Sequence, residues 1–258
     1  MEHVVLITGA SSGIGKALAE EFANHGADLL IAARSEGKLA ALQAELEQKY
    51  KVHVYYTSVD LTEENGCRRL YDYAKEKQLA VDILINNAGM GDAGEYEKSD
   101  WDKDCRIIRL NVLAVMHLCR LFLPDMTAGK QGTIVNIAST LAFAPTAWEA
   151  VYAASKAFIL SFSQALYEET KGSGVRVLTI CPGMTNTDFF RSAGFGLGSF
   201  RLAAPEDFAA FAYKQIMKKK PVSVHRFSNQ ITALFSRLAP RGTVRRCFAR
   251  ACRPDNGS

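Results

Sequence analysis

Val4-Val5-Leu6-Ile7-Thr8-Gly9-Ala10-Ser11-Ser12-Gly13-Ile14-Gly15 is the stretch whose reading decides the fold. The apolar run predicts a strand over residues 4–7. Apolar side chains at helical spacing after the glycines (Ile14, Leu18, Ala19, Phe22) predict a helix over 14–25. Glycines between a strand and a helix let the backbone approach a pyrophosphate, while the helix N-terminus offers amide donors and a positive end. The spacing is Gly-x-x-x-Gly-x-Gly rather than the Gly-x-Gly-x-x-Gly fingerprint. Gly9-Ala10-Ser11-Ser12-Gly13 also fits Gly-x-Ser-x-Gly, the nucleophile elbow of serine hydrolases, with Asp188 and His225 following in the required order. Position weighs against that alternative, because Ser11 follows the first strand and an elbow serine normally comes after several.

The alternation repeats downstream. Strands are predicted over 29–32, 52–57, 83–85, 134–138 and 175–180, and helices over 39–50, 63–77, 100–126 and 152–170, with Ser35 as N-cap of the second helix. Continuous apolar strands alternating with helices specify an α/β fold, a Rossmann-like doubly wound parallel sheet with helices on both faces. Ligands of such sheets bind at the carboxyl ends of the strands. The glycine turn, Asp60, Asn86-Asn87-Ala88-Gly89, Ser139 and Pro182-Gly183 all fall at such ends. The helix from Tyr152 is apolar around much of its circumference, which points to a second subunit, in a homodimer or homotetramer.

The chain has 258 residues, enough to bury one large core without disulfides. Its six cysteines and five histidines show no ligand spacing, so no metal is expected, and Cys67, Cys105, Cys119 and Cys181 are expected to be buried free thiols. No apolar run of bilayer-spanning length is evident, and a cytoplasmic location is expected. Charge is uneven. Residues 208–254 contain eleven Lys and Arg and no acid, whereas residues 1–207 carry 20 basic against 26 acidic side chains. We therefore divide the chain into a catalytic and dinucleotide-binding domain over 1–220 and a basic extension over 221–258, packed on or near the substrate cleft.

Tyr152-x-x-x-Lys156 lies thirteen residues after Ser139. Side chains four apart share one helix face, and an ammonium beside a phenol stabilises the phenolate, which lowers a tyrosine pKa from about 10 toward the range of a general acid/base. With Thr8 to Gly15, Asn86-Asn87-Ala88-Gly89, Asn111, Ser139, Tyr152-x-x-x-Lys156 and Pro182-Gly183-x-x-x-Thr187 in order, residues 4–220 resemble the short-chain dehydrogenase/reductase family. The resemblance implies that Ser139 holds a substrate carbonyl, that Tyr152 donates the proton, that Lys156 depresses the tyrosine pKa and contacts the nicotinamide ribose, and that Asn111 anchors a relay water. It implies a nicotinamide dinucleotide held by Gly9, Ser11, Ser12, Gly13, Ile14, Gly15, Arg34, Asp60, Asn87, Ala88, Gly89, Tyr152, Lys156, Pro182, Gly183, Thr185 and Thr187. Asp60 could equally cap the following helix.

The residues themselves choose between cofactors. A ribose-binding acid is expected at the end of the second strand, but Ala33 stands there and Arg34 follows. An arginine fork grips a 2′-phosphate that a carboxylate would repel, so NADP(H) is expected. The glycine- and phenylalanine-rich segment 184–203 reads as an apolar lid, and Phe143, Trp148 and Phe189 as apolar wall. Together they suggest a hydrophobic ketone, secondary alcohol or 3-oxoacyl-type substrate. In the extension, Ile231, Leu234, Phe235 and Leu238 recur at helical spacing among arginines, which suits a helix capping the cleft, contact with an anionic membrane or contact with the phosphates of an acyl carrier substrate. No nucleic acid is expected, since no recognition motif accompanies the charge. The alternative to an enzyme is a module that binds NADP(H) and senses redox state without turnover.

Overall fold

The computed structural model describes residues 1–189 and 202–252. Among these, seven parallel strands form one sheet: β1 (Glu2–Thr8), β2 (Leu29–Ala33), β3 (Val54–Ser58), β4 (Leu79–Asn86), β5 (Gly132–Ile137), β6 (Val175–Cys181) and β7 (Val222–Val224), in the order β3-β2-β1-β4-β5-β6-β7. The winding direction reverses between β1 and β4, so their carboxyl ends open a crevice.

Each face of the sheet carries its own core. One is built on α1 (Gly13–Asn24), α2 (Glu36–Tyr50) and α7 (Pro205–Met217), where Leu18, Phe22, Leu39, Leu46 and Phe208 are almost wholly buried. The other holds α3 (Gly66–Glu76), α5 (Val115–Ala128) and α6 (Ala150–Glu169), with Leu70, Leu118, Phe122 and Ile159 packed on the sheet. Two further helices, α8 (Phe227–Leu238) and α9 (Arg241–Ala251), follow β7.

Several elements differ from the sequence reading. The helix expected over 100–126 begins as α4 (Trp101–Ile108), passes through a π-helical turn at Arg109–Ala114 and continues as α5. The whole run Trp101–Ala128 is long and apolar enough to cross a bilayer, a length that residue-by-residue reading missed. Its face carrying Ala114, Val115, Leu118, Cys119, Phe122 and Met126 is spent on the sheet. Strand β4 starts four residues early because residues 79–81 pair with residues 2–4 of β1. Strand β7 went unread, and it pairs with β6 through Thr179↔Val222 to Cys181↔Val224, so the sheet continues past residue 220. Ser35 stands at the N-cap of α2 but makes no side-chain capping bond. Asp60 does not cap α3, whose N-cap is Asn65. Cys67, Cys119 and Cys181 are buried, but Cys105 is only half-buried. Burial pushes the Cys67 thiol up to about 11 and Cys119 and Cys181 up to about 12, so they are inert. Among the described residues, Glu2, Asp28 and His53 bring possible ligand atoms within 4.8 Å of one another at the surface. They bond each other there, Glu2 to the His53 ring at 3.1 Å and Asp28 to the His53 N–H at 2.7 Å.

Candidate active site

The turn after β1 is shaped by contacts with the end of β4. The buried Thr8 hydroxyl accepts the Asn87 and Ala88 N–H groups, both at 3.0 Å, and Asn87 Nδ2 donates to the Thr8 carbonyl at 2.9 Å. One threonine thereby ties the two strand ends together at the crevice. A Cβ on Gly15 would lie 2.1 Å from the Gly9 carbonyl oxygen, and one on Gly9, whose φ is +69°, would lie 2.8 Å from Ala88 Cα. Only glycine allows this approach. Ser12, the N-cap of α1, makes no side-chain capping bond, which leaves the first-turn amides of α1 for a ligand. The donor set and the glycine cradle fit a pyrophosphate.

A single cleft of about 1950 Å³, as bounded by the described residues, runs across the carboxyl ends of the strands. Gly9, Ser11, Ser12, Gly13, Ile14, Gly15, Arg34, Asp60, Asn87, Ala88, Gly89, Ser139, Tyr152, Lys156, Pro182, Gly183, Thr185 and Thr187 all line it. Thr187 closes over the glycine turn, its methyl 3.0 Å from where a Gly13 Cβ would stand. Burial pushes the Asp60 carboxyl up, but bonds from the Thr62 N–H and hydroxyl, with Arg34 and Arg69 nearby, hold it below its ordinary value.

Tyr152 and Ser139 are hydrogen-bonded through their side chains. Lys156 lies one turn along α6, its ammonium donating to the Ile137 carbonyl at 2.9 Å and lying 5.9 Å from the centre of the Tyr152 ring. Both side chains are buried, and burial acts on them in opposite directions. It pushes the phenol above its ordinary value, which the Ser139 bond opposes and Glu149 reinforces, and it lowers the lysine to about 8. The phenol is thus shifted opposite to the expected direction, because desolvation penalises the charged form of each group.

Asn111 does not line the cleft. It sits in the π-helical turn and is wholly buried, its Nδ2 donating to the Met90 carbonyl (2.9 Å) and Ser155 Oγ (3.0 Å), its Oδ1 accepting from the Met90 N–H (3.0 Å). Asn111 thus fixes the chain at Met90. It stands directly behind Gly89, where an added Cβ would meet Asn111 Oδ1 at 3.3 Å and Lys156 Nζ at 3.5 Å.

Trp148 and Phe189 line the cleft as expected, with Phe189 5.4 Å from the Tyr152 ring. Phe143 is turned instead into the core under α6 and against Arg237, 5.8 Å away. Phe190, Phe195, Phe200 and the glycines of the expected lid lie outside the described residues. The hydrolase alternative fails on geometry. Ser11 is in the cleft, but His225 is packed between the Phe208 and Phe211 rings, 5.4 and 5.0 Å away, and does not line it. Cleft residues that sequence reasoning missed include Glu149, Arg106, Asn229 and Arg250, none of which stands in a recognisable motif. The helices α8 and α9 bring two of these in, and Asn229 sits so close to Gly183 that a Cβ there would lie 2.3 Å from its Nδ2.

The family model for short chain dehydrogenases matches residues 3–195. An uncharacterized oxidoreductase of Staphylococcus saprophyticus is 32% identical over 87% of this chain and 95% of its own. The very-long-chain 3-oxoacyl-CoA reductase of Bos taurus is 35% identical over 82% and 67% respectively. A short-chain dehydrogenase from Sphingobium yanoikuyae, solved in complex with NADPH, superposes with a TM-score of 0.83 at 33% identity, covering 91% of this chain and 92% of that one. The chain belongs to the short-chain dehydrogenase family of oxidoreductases.

Proposed function

We propose that the protein is an NADP(H)-dependent reductase that transfers hydride from the nicotinamide to a hydrophobic ketone or 3-oxoacyl-type substrate, with Tyr152 as the general acid. The observation that carries this reading is the buried Tyr152–Ser139 hydrogen bond, one helical turn from Lys156, in the cleft that the glycine turn and Arg34 also line. Burial keeps the phenol protonated, which suits a proton donor, and Ser139 is placed to hold the carbonyl oxygen between the two hydroxyls. Lys156 would hold the ribose, and the bound dinucleotide supplies the hydride. Arg34, with Lys38 beside it in the cleft, supports recognition of a 2′-phosphate. The relative solved with NADPH and the relative that reduces 3-oxoacyl-CoA point the same way.

Replacing Tyr152 with Phe keeps the ring packing and removes the proton donor, so turnover should fall by ~10²-fold or more while NADPH binding survives. Near wild-type turnover by that variant overturns the assignment, and a wild-type protein that binds NADPH without reducing any ketone would favour the redox-sensing module. The exposed apolar side chains Leu113 and Met116 before and within α5 and Phe158 on α6 form the face we assign to a second copy of the chain. Light scattering should give a dimer or tetramer.

A further inference from the structure

Beside Tyr152 the cleft wall contains two buried polar groups that the reductase chemistry leaves unused. Trp148 Nε1 and Glu149 Oε2 are both buried without a hydrogen-bond partner, although both residues line the cleft. An unpartnered buried polar group is costly and calls for an explanation. Glu149 is 8% exposed and occupies the N-cap of α6, and its carboxyl does not cap the helix. Trp148 holds a left-handed backbone, φ +69°, fixed by the Gly94 N–H donating to its carbonyl at 2.7 Å. Such strain in a bulky residue persists where the surroundings over-determine it, often at ligand sites.

We propose that Trp148 and Glu149 form a polar subsite that hydrogen-bonds a second oxygen of the substrate, a carbonyl or a hydroxyl, beside the carbonyl that is reduced. The inference rests on the reductase reading and narrows its substrate class. The indole N–H is only a donor, and a protonated carboxyl is a donor through its O–H. The group both can satisfy is therefore an oxygen acceptor. Burial holds the Glu149 carboxyl up at about 8, so it is protonated at neutral pH. The titratable groups that face it are Tyr152, one turn along α6, and Cys252, just past α9, while Arg106, Lys156 and Arg250 line the same cleft. Asp188 also lines the cleft, but an ammonium has no lone pair to accept from these two donors, which disfavours an amine as the second group. A plain ketone leaves the two donors unmatched, whereas a 3-oxo ester or a 3-hydroxy ketone matches them.

The test compares ethyl 3-oxohexanoate, 6-hydroxy-4-nonanone and 4-nonanone, which share one chain length and differ in the second oxygen. Because an ester also activates the neighbouring ketone, the quantity read is the change in the ratio of kcat/KM values on mutation. In Glu149→Leu and in Trp148→Phe the preference for the oxygen-bearing substrates over 4-nonanone should fall by ~10-fold or more, since a site built to bond an oxygen discriminates against an analogue lacking it. Glu149→Gln keeps a donor and should retain the preference. In the wild type the ratio should decline as pH rises through about 8, where the carboxyl loses its proton, and in Glu149→Gln it should stay flat. Titration of Lys156 or Tyr152 affects all three substrates alike and cancels in the ratio. A response shared by the oxo ester and the hydroxy ketone assigns any oxygen acceptor, and a response of the oxo ester alone assigns a carbonyl. Ratios unchanged in Glu149→Leu and Trp148→Phe overturn the subsite. Absence of turnover of all three ketones by the wild type with NADPH or NADH overturns the reductase reading instead.

Discussion

At the scale of single residues, the site depends on atoms that are missing as much as on those present. A methyl group on Gly15 would have to displace the Gly9 carbonyl, which is backbone, and Asn87 Nδ2, which is held by its bond to the Thr8 carbonyl. Gly15→Ala is therefore expected to cost ~1–3 kcal/mol, as overpacking does, and to weaken dinucleotide binding by opening the turn. Gly37, exposed in the first turn of α2, has nothing within 4 Å of an added Cβ. Gly37→Ala should raise stability by up to about 0.5–1 kcal/mol. Thermal unfolding, at roughly 2–4 °C per kcal/mol for a chain near this size, separates the two outcomes. Two buried ionisable groups, Glu149 and Lys156, make a second residue-level prediction. Glu149 is raised from 4.5 to about 8, so between those values the folded state binds more protons than the unfolded one, and stability falls as pH rises. Lys156 is lowered from 10.5 to about 8, so between about 8 and 10.5 the unfolded state binds more protons, and stability rises with pH. Denaturant midpoints across pH should lose the first slope in Glu149→Gln and the second in Lys156→Met. Slopes unchanged in both variants would mean that water reaches these groups and removes the effect of burial.

At the scale of elements, the proposed preference for NADP(H) rests on the junction of β2 and α2. Ala33 ends the strand and Arg34 follows, lining the cleft, and Ser58 Oγ donates to the Arg34 carbonyl at 2.9 Å, so the backbone that presents the guanidinium is fixed from β3. Ala33→Asp combined with Arg34→Leu reverses the charge facing the 2′ position. The ratio of kcat/KM with NADPH to that with NADH should drop below one in the double variant. A wild type that already prefers NADH would assign Arg34 to another task. The neighbouring helices show which parts of an element are local. The hydrophobic period of residues 14–25 locates α1 to within one residue, because the helix is decided by its own buried stripe. The π-helical turn at Arg109–Ala114 left no trace in that period, since it is sustained by Asn111 reaching Met90 and Ser155 on other elements. Strand β7 is three residues long and owes its existence to the open edge of β6. A segment that short has too little pattern to be read alone.

At the scale of the whole molecule, the basic extension has two faces. Its inner side lines the cleft through Asn229, Thr232, Phe235 and Phe248. Its outer side exposes Phe227, Ile231, Leu234 and Leu238, each more than half exposed, in a stretch of 47 residues (208–254) without an acid. Exposed apolar side chains in an acid-free, arginine-rich stretch would suit an anionic lipid surface, where each basic group contributes about 1 kcal/mol and is screened beyond a Debye length of roughly 8–10 Å. The protein is expected to sediment with anionic vesicles at low salt, to be released at high salt, and to bind neutral vesicles poorly. Ile231→Glu with Leu238→Glu should abolish the binding. Absence of sedimentation at low salt rejects the lipid surface. A change of oligomeric state in the same variant would assign the stripe to a subunit interface.

The sequence by itself determined the alternation of strands and helices, the parallel sheet, the family and nearly every residue at the carboxyl ends of the strands. Those features are written in local period and in motifs whose members lie within a few residues of one another. Even the pairing of Tyr152 with Lys156 is local, since one helical turn brings them to one face. Only the tertiary structure decided what surrounds that pair. Desolvation reversed the expected direction of the tyrosine shift, because the burial that causes it comes from segments far apart in the chain. Asn111 went behind the cleft rather than into it, Phe143 turned into the core, and α8 and α9 supplied part of the cleft wall. Glu149 carried no motif at all. Its character arises from burial without a partner, and burial is set by every element that packs around a residue, which no window of sequence contains.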